Sequence, residues 1–317
     1  MLLAIAGLGW YALSPLELHS DPADFSIKPG SSLKSATRQM VESGVEMNAL
    51  QFNLLGRLLG KAGAIKAGSY EVGSGITPLA LLNKLTAGEV TQEEVVFIEG
   101  WTFRQVRAAL DADADIRHDS AALSDAEIMA RLGVARRDPE GLFFPDTYLF
   151  GKGASDLDIL RRAYRAMDRQ LGAAWQQRAP DLPYRNPYEA LIMASVIEKE
   201  TGQATDRALI GGVFVNRLRI GMMLQTDPSV IYGLGDKFDG KLRKKHLLAD
   251  TPHNTYTRTG LPPTPIAMPG RASLQAALHP AKTPALYFVA RGDGSSEFSR
   301  TLAEHERAVA KYQRGGR

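Results

Sequence analysis

The sequence predicts an α+β protein in which a small N-terminal module precedes a larger mixed domain. Residues 25–90 read as strand, helix, helix, strand, and residues 94–100 and 286–290 read as further short strands. Between those strands, residues 186–202 have the pattern of a helix that is apolar on all sides. The predicted boundaries are an N-terminal segment at 1–18, a module at 22–92 and a domain at 93–317.

Composition excludes several classes of protein. The 317 residues are 44% hydrophobic, which is enough for one large or two modest cores. Basic and acidic residues nearly balance, at 38 and 35, and no basic run is interleaved with aromatics, so we predict no nucleic-acid partner. The chain has no cysteine, its six histidines lack the HxxxH spacing, and it contains no P-loop or paired-glycine motif. We therefore predict neither a metal site nor a cofactor.

The first 13 residues carry no charge. They are too few for a spanning helix, which needs about 20 apolar residues, and no basic residues precede them. A signal peptide would also need a cleavage site, which is missing. We interpret the segment 1–18 as the outer part of a membrane anchor that begins upstream, rather than as an exposed apolar tail. On that interpretation the rest of the chain lies outside the cytoplasmic membrane and folds without residues 1–18.

The module at 22–92 has recognisable start and stop signals. FSIKPG predicts a strand and a turn, Ser31 or Ser32 begins a helix that ends at Gly44, and GSYEV predicts the returning strand. A further helix begins after Thr77. This order resembles a LysM-like carbohydrate-binding module, although a plain packing domain has the same pattern.

An aromatic and acidic segment follows in the larger domain. Glu140 and Asp146 flank Phe143 and Phe144, and Tyr148 comes two residues later. Aromatic rings beside acids are typical of sugar clefts, but the same composition also makes half-buried loops. Both interpretations remain open from the sequence.

The helix predicted at 186–202 has signals at both ends. Asn186 can cap its first turn, Pro187 needs no backbone donor there, and Glu189 can complete a capping pair. Gly202 can close the far end. Because residues 190–197 are apolar all round, the helix should be buried and should present its last turn, Glu-Lys-Glu, in a cleft.

The two glutamates of that turn point to nearly opposite faces. Glu200 follows Met193, Val196 and Ile197 at helical spacing, whereas the residues before Glu198 on its face are smaller. A carboxyl held against apolar side chains has a raised pKa and can act as a general acid near neutral pH. We therefore assign the role of general acid to Glu200 and a structural role to Glu198. Alternatively, both carboxylates only face solvent at the end of a helix.

Two loops carry polar side chains that a ligand can reach. Gln225 and Thr226 lie in an irregular turn before a short helix begun by Asp227 and Pro228. Asn254 and Tyr256 lie in a second loop, which several prolines stiffen. Asp227 as a helix cap and Asn254 as a turn former are the alternatives.

Four segments carry a family resemblance: ASVIEKETG, VFVNRLRIGMMLQTDPSVIYGLG, HNTYTRTGLPPTPIAMPG and AALHPAKTPALYFVA. They resemble the endolytic murein transglycosylases, which are membrane-anchored lytic transglycosylases of bacteria. The resemblance runs from about residue 25 to the C-terminus. The cytoplasmic tail and part of the membrane span of that family have no counterpart here.

The resemblance implies a lyase that cuts peptidoglycan between N-acetylmuramic acid and N-acetylglucosamine, without water, leaving 1,6-anhydro ends and terminating nascent strands. It places the essential acid at Glu200. It also implies action outside the cytoplasmic membrane on a single-pass anchor, with peptidoglycan strands and cell-wall synthases, the penicillin-binding proteins, as partners. The candidate substrate-binding residues are Gln225, Thr226, Asp227, Asn254, Tyr256 and Glu198.

Two other functions remain possible from the sequence. A hydrolase would pair Glu200 with a second acid, Asp227 or Asp146, because hydrolysis of glycosides normally needs two carboxylates. A scaffold that binds peptidoglycan would show no turnover at all.

Overall fold

The structure is a computed structural model that describes residues 2–91, 93–134 and 137–314. Met1 of the predicted anchor lies outside the described residues. The chain divides into two compact units. Unit 1 comprises residues 1–94, 115–117 and 149–154, and unit 2 comprises the remainder. Short sheets and many helices make this an α+β protein, as the sequence predicts.

Unit 1 is built around one antiparallel strand pair. Its helices are α1 (Leu2–Leu13), α2 (Leu33–Glu42), α3 (Ala49–Leu58) and α4 (Pro78–Ala87), and its strands are β1 (Glu17–Leu18), β2 (Ala23–Ile27), β3 (Val45–Glu46) and β4 (Gly68–Val72). Strand β2 pairs with β4, with Phe25 opposite Tyr70, and their rings stack with centroids 5.7 Å apart. The predicted strand, helix, helix, strand order is therefore present.

The N-terminal segment is part of the packing of unit 1. Helix α1 packs against α3 and α4. Ala12 and Leu16 are buried in the core, and the Leu16 amide donates to the Ile76 carbonyl oxygen at 2.8 Å. No helix in the described ranges is long and apolar enough to cross a membrane. Because residues 12–18 complete the core and strand β1, the expectation that all of 1–18 is dispensable for folding does not fit this packing.

Unit 2 is mainly helical. The chain passes between the units near β5 (Glu93–Val96), β6 (Ile116–Arg117), β7 (Thr147–Phe150) and β8 (Ala154–Ser155). The helices of unit 2 are α5 (Phe103–Ala112), α6 (Asp125–Arg131), α7 (Asp156–Gln176), α8 (Pro187–Glu200), α9 (Ala204–Arg219), α10 (Asp227–Leu234), α11 (Lys244–Leu248), α12 (Arg271–Leu278) and α13 (Leu302–Val309). An antiparallel hairpin, β9 (Tyr287–Ala290) and β10 (Ser296–Ser299), precedes α13.

Helix α8 is the centre of unit 2. It packs against α7, α9, α10 and α12, and its residues 190–197 are all buried, as an all-apolar helix requires. Helix α9 approaches α12 closely: a Cβ at Gly211 would meet the carbonyl oxygen of Ala276, so only glycine fits there. The last turn of α8 is thereby held rigidly, because helices surround the rest of it.

The ends of α8 follow the prediction in part. The Asn186 side chain accepts from the Glu189 amide at 3.1 Å, and Pro187 occupies the first turn. The Glu189 carboxylate, however, accepts from the Arg185 amide and not from Asn186, so the capping pair is only half formed. The helix ends at Thr201, whose backbone is extended, and Gly202 does not adopt a left-handed turn.

The aromatic segment near Glu140 belongs to the core. Phe143 has no exposed surface and stacks on Phe103 with ring centroids 4.9 Å apart; Phe144 and Tyr148 are also buried. The interpretation of these rings as a sugar cleft is therefore wrong. Their apolar faces are already covered by other side chains.

Candidate active site

A cleft of about 560 Å³ in unit 2 begins where α8 ends. Its walls come from the end of α9, the turn before α10, the loop around residue 256, strand β9 and helix α13. We call it the Glu200 cleft. Its lining residues are Glu200, Arg217, Leu224, Gln225, Asp227, Tyr256, Tyr287, Phe288, Val289, Ala290, Ser296, Leu302, His305, Val309 and Gln313.

Glu200 is a half-buried carboxyl with an apolar backing. Met193, Val196 and Ile197, at helical spacing before it, have no exposed surface. The pKa of Glu200 is raised to about 7, mainly by burial and also by the negative charge of Asp227, while the positive charge of Arg217 opposes both. Its carboxyl forms no hydrogen bond or ion pair with any residue in the described ranges. A neutral carboxyl without a protein acceptor keeps its proton available to a ligand in the cleft.

Glu198 lies on the other face of α8 and does not line the cleft. Its Oε2 accepts from the Gly270 amide at 2.9 Å, and its Oε1 lies 4.0 Å from Arg207 Nη2. Only 7% of its side chain is exposed. This carboxylate therefore anchors the start of α12 to the end of α8. As a candidate for binding substrate it is misplaced, because its oxygens are already used and it does not face the cleft.

The turn before α10 separates two of the predicted residues. Gln225 has a left-handed backbone, with φ of 53°, and its side chain is exposed in the cleft wall. Thr226 is buried, and its amide donates to Thr255 Oγ1 at 2.9 Å. The reversal of direction at Gln225 turns the next side chain inward. Thr226 therefore lies behind the cleft wall and cannot contact a ligand there.

Asp227 and Tyr256 form a pair on the cleft wall. The Tyr256 hydroxyl donates to Asp227 Oδ1 at 2.6 Å. Burial raises the pKa of Tyr256, and its hydrogen bond to Asp227 adds to that rise, so the phenol stays protonated and remains a donor. Asp227 begins α10, and its side chain makes no cap of that helix. Its charge faces the cleft instead.

Asn254 supports this pair from inside the protein. Its side chain is fully buried, and Nδ2 donates to the carbonyl oxygens of Leu247 at 3.0 Å and Ala249 at 2.7 Å. Oδ1 accepts from the Tyr256 amide at 2.8 Å. Asn254 therefore fixes the loop that carries Tyr256, and it is out of reach of the cleft.

Arg217 also lines the cleft, although no role was predicted for it from the sequence. Its Nε donates to the Leu286 carbonyl oxygen at 2.7 Å and its Nη1 donates to that of Leu224 at 2.7 Å. The guanidinium also lies 5.3 Å from the centroid of the Tyr287 ring. A sequence signal was available, since Arg217 follows two fully buried residues, Ile210 and Val213, on one face of α9. A basic residue on an inward face marks a buried cation that needs a partner.

Glu140 is a second carboxyl whose pKa burial raises to about 7. Its Oε1 accepts from the Phe103 amide and its Oε2 from the Tyr232 hydroxyl, both at 3.1 Å. It is 4% exposed. A raised pKa alone therefore does not identify the acid; access to a cleft and freedom from protein partners distinguish Glu200 from Glu140. Asp146 is exposed and does not line the cleft.

Comparison with known proteins identifies the family of the chain. The profile of the YceG-like family matches residues 25–311. An endolytic murein transglycosylase of Bacillus subtilis (strain 168) is 32% identical over 320 residues, which cover 95% of this chain and 88% of that protein. An endolytic murein transglycosylase of Streptococcus pneumoniae serotype 2 is 26% identical over 98% of this chain, which spans 64% of that protein's length.

A solved structure extends the similarity to the fold. The crystal structure of a YceG-like protein from Listeria monocytogenes is 29% identical, with a TM-score of 0.57, and the match covers 91% of this chain and 99% of that one. The resemblance drawn from the four sequence segments is thus confirmed over nearly the whole chain. By profile, sequence identity and fold, the chain belongs to the YceG-like family.

Proposed function

We propose that the protein is an endolytic lytic transglycosylase of peptidoglycan. The observation that carries this proposal is Glu200: a carboxyl with a pKa of about 7, without a hydrogen-bond partner in the described ranges, at the wall of an open cleft. The names of the curated relatives, endolytic murein transglycosylase, support the same chemistry. The bond cut is the β-1,4 bond between N-acetylmuramic acid and N-acetylglucosamine.

In the first step Glu200 acts as a general acid. It gives its proton to the glycosidic oxygen, the bond from that oxygen to C1 of the muramic residue breaks, and the N-acetylglucosamine side leaves as an alcohol. The step leaves Glu200 as a carboxylate. Arg217 favours that carboxylate, because its charge opposes the rise of the Glu200 pKa. The fixed guanidinium therefore stabilises the charge that this step creates.

In the second step the same carboxylate acts as a base. It removes the proton from the C6 hydroxyl of the muramic residue, and the C6 oxygen attacks C1 to close the 1,6-anhydro ring. Glu200 ends protonated, as it began, and no water is consumed. One carboxyl is enough for this sequence, whereas a hydrolase normally needs two.

Asp227 keeps a hydrolase as the second candidate, because it lines the same cleft as Glu200. Its Oδ1 is occupied by the Tyr256 hydroxyl. In the proposed mechanism Asp227 has another role: its charge helps to keep Glu200 protonated. Asp227, Tyr256 and Gln225 are then the residues that orient the glycan.

Product analysis on purified peptidoglycan tests the proposal. Mass spectrometry should find 1,6-anhydro ends with the wild type and none with Glu200→Gln, which keeps the shape of the side chain and loses the proton. Glu198→Gln is the matched control: its amide oxygen can still accept from Gly270, so activity should remain. Reducing ends, heavier by one water, would indicate the hydrolase. Glycan binding without any turnover would indicate a scaffold.

The proposal extends to unit 1 and to the place of action. We infer that unit 1 is a LysM-like glycan-binding module, since β2 and β4 pair as the outer strands of a β-α-α-β order and a cleft of about 420 Å³ lies beside them. Lys28 and Glu71 line that cleft and are exposed. Lys28→Glu in the Glu200→Gln chain should weaken binding to purified glycan strands. Unchanged binding would show that this cleft of unit 1 does not bind glycan.

A cell-wall substrate requires that the enzyme act outside the cytoplasmic membrane. We propose that it is held there by an N-terminal membrane anchor and terminates nascent strands beside the cell-wall synthases, the penicillin-binding proteins. Cells that carry Glu200→Gln in place of the wild type should then have longer glycan strands. Unchanged strand length with active wild-type enzyme would refute the termination role alone.

A further inference from the structure

The C-terminal helix α13 contributes a histidine to the Glu200 cleft. His305 lines the cleft together with Leu302 and Val309 of the same helix. Its ring stacks on Tyr287 of β9, with centroids 5.2 Å apart and planes at 21°. Tyr287 in turn packs against the Arg217 guanidinium. The histidine ring is therefore held flat against the cleft wall that also contains the cation beside Glu200.

The two nitrogens of the His305 ring have different surroundings. Nδ1 is buried without a hydrogen-bond partner, and neither ring nitrogen bonds to a residue in the described part of the chain. Nε2 is not among the buried unpaired atoms, and the side chain is only half-buried. Nε2 is thus the nitrogen that solvent and a ligand in the cleft can reach.

This asymmetry selects a protonation state. A neutral imidazole carries its proton on one nitrogen only, and a buried N–H without an acceptor forfeits a hydrogen bond that Nε2–H can form with water. The proton therefore belongs on Nε2. Burial lowers the pKa of His305, and the nearby positive charge of Arg217 lowers it further. Glu306 has a smaller, opposite effect. The net lowering of the pKa keeps the ring neutral.

We propose that His305 is a substrate-contacting residue, whose Nε2–H donates a hydrogen bond to an oxygen acceptor of the glycan, a hydroxyl or an acetamido carbonyl, bound beside Glu200. The inference rests on the proposed function and adds helix α13 to the parts of the chain that contact the glycan. Tyr256 and His305 then line the site from two separate parts of the chain, the loop after α11 and helix α13, and His305 supplies the free donor because the only O–H of Tyr256 is donated to Asp227. Leu302 and Val309 offer apolar surface to the CH groups of the same sugar.

Two substitutions at His305 distinguish the effect of the hydrogen-bond donor from the effect of the aromatic ring. His305→Phe keeps a flat ring on Tyr287 and removes the donor, whereas His305→Gln can place an amide N–H near the position of Nε2. In the Glu200→Gln background, His305→Phe should weaken binding of purified soluble glycan strands by about threefold to tenfold, the value of one neutral hydrogen bond. His305→Gln should recover most of that loss. His118→Phe, at an exposed position outside the cleft, is the control.

Kinetics and NMR complete the test. In the chain that retains Glu200, His305→Phe should raise KM by a similar factor and leave kcat nearly unchanged. Long-range ¹H–¹⁵N spectra of the wild-type protein should show the neutral Nε2–H form of His305, independently of whether any variant folds. Unchanged glycan affinity in His305→Phe, failure of His305→Gln to recover binding, or an Nδ1–H ring would each overturn the inference. If the proposed function itself were wrong, the wild type would instead produce no 1,6-anhydro ends from peptidoglycan.

Discussion

The raised pKa of Glu200 predicts that this carboxyl destabilises the folded protein at neutral and alkaline pH. The folded state holds this proton up to a pKa of about 7, compared with an ordinary value of 4.5. Between these two values the unfolded chain has released the proton and the folded protein has not. The contribution of Glu200 to stability is therefore complete below pH 4.5, falls as pH rises towards 7, and is constant above that.

The size of the effect follows from the same two values. At 1.36 kcal/mol per pKa unit, a rise from 4.5 to about 7 corresponds to about 3 kcal/mol. Glu200→Gln removes the titration and keeps the side-chain shape. The free energy of unfolding of the variant minus that of the wild type should therefore be larger at pH 8 than at pH 4, by up to about 3 kcal/mol.

Urea unfolding of both proteins from pH 4 to pH 8.5 measures this difference. Groups other than Glu200 titrate in both proteins and cancel in the comparison. Glu306→Gln, at an exposed position on α13, is the control for the loss of an acidic side chain as such. A constant difference between Glu200→Gln and the wild type across this range would refute the reasoning, because the fold would then not hold Glu200 protonated.

Three further predictions follow from particular contacts. Ile197→Thr brings a hydroxyl towards Glu200, so the high-pH limb of the kcat profile should move to lower pH; a slower enzyme with an unmoved limb would show that apolar burial does not set this pKa. Phe143→Ala should cost about 3–5 kcal/mol in urea unfolding, because the ring is in the core, and a loss of glycan affinity without loss of stability would contradict that position. Deletion of residues 1–18 should lower the melting temperature of unit 1, since Ala12 and Leu16 are core residues; an unchanged melting temperature would contradict the packing of α1.

Local sequence patterns determined much of the fold. Helix α8, its Asn186 cap and its all-round burial followed from spacing alone, because 3.6-residue periodicity fixes which side chains share a face. The same periodicity separated Glu200 from Glu198. The strand order of unit 1 was also predictable, since turns depend on a few neighbouring residues.

Contacts between distant parts of the chain were decided only by the tertiary structure. Thr226 and Asn254 are polar loop residues like Gln225 and Tyr256, and only packing turned the first two inward and left the others in the cleft. Arg217 and His305 join the same cleft from α9 and α13, nearly 90 residues apart in sequence. Periodicity reports which face a residue occupies, but not what that face meets, because burial and charge depend on neighbours brought in by the fold. The sequence by itself therefore determined which carboxyl is the acid candidate, and the tertiary structure decided which residues surround it.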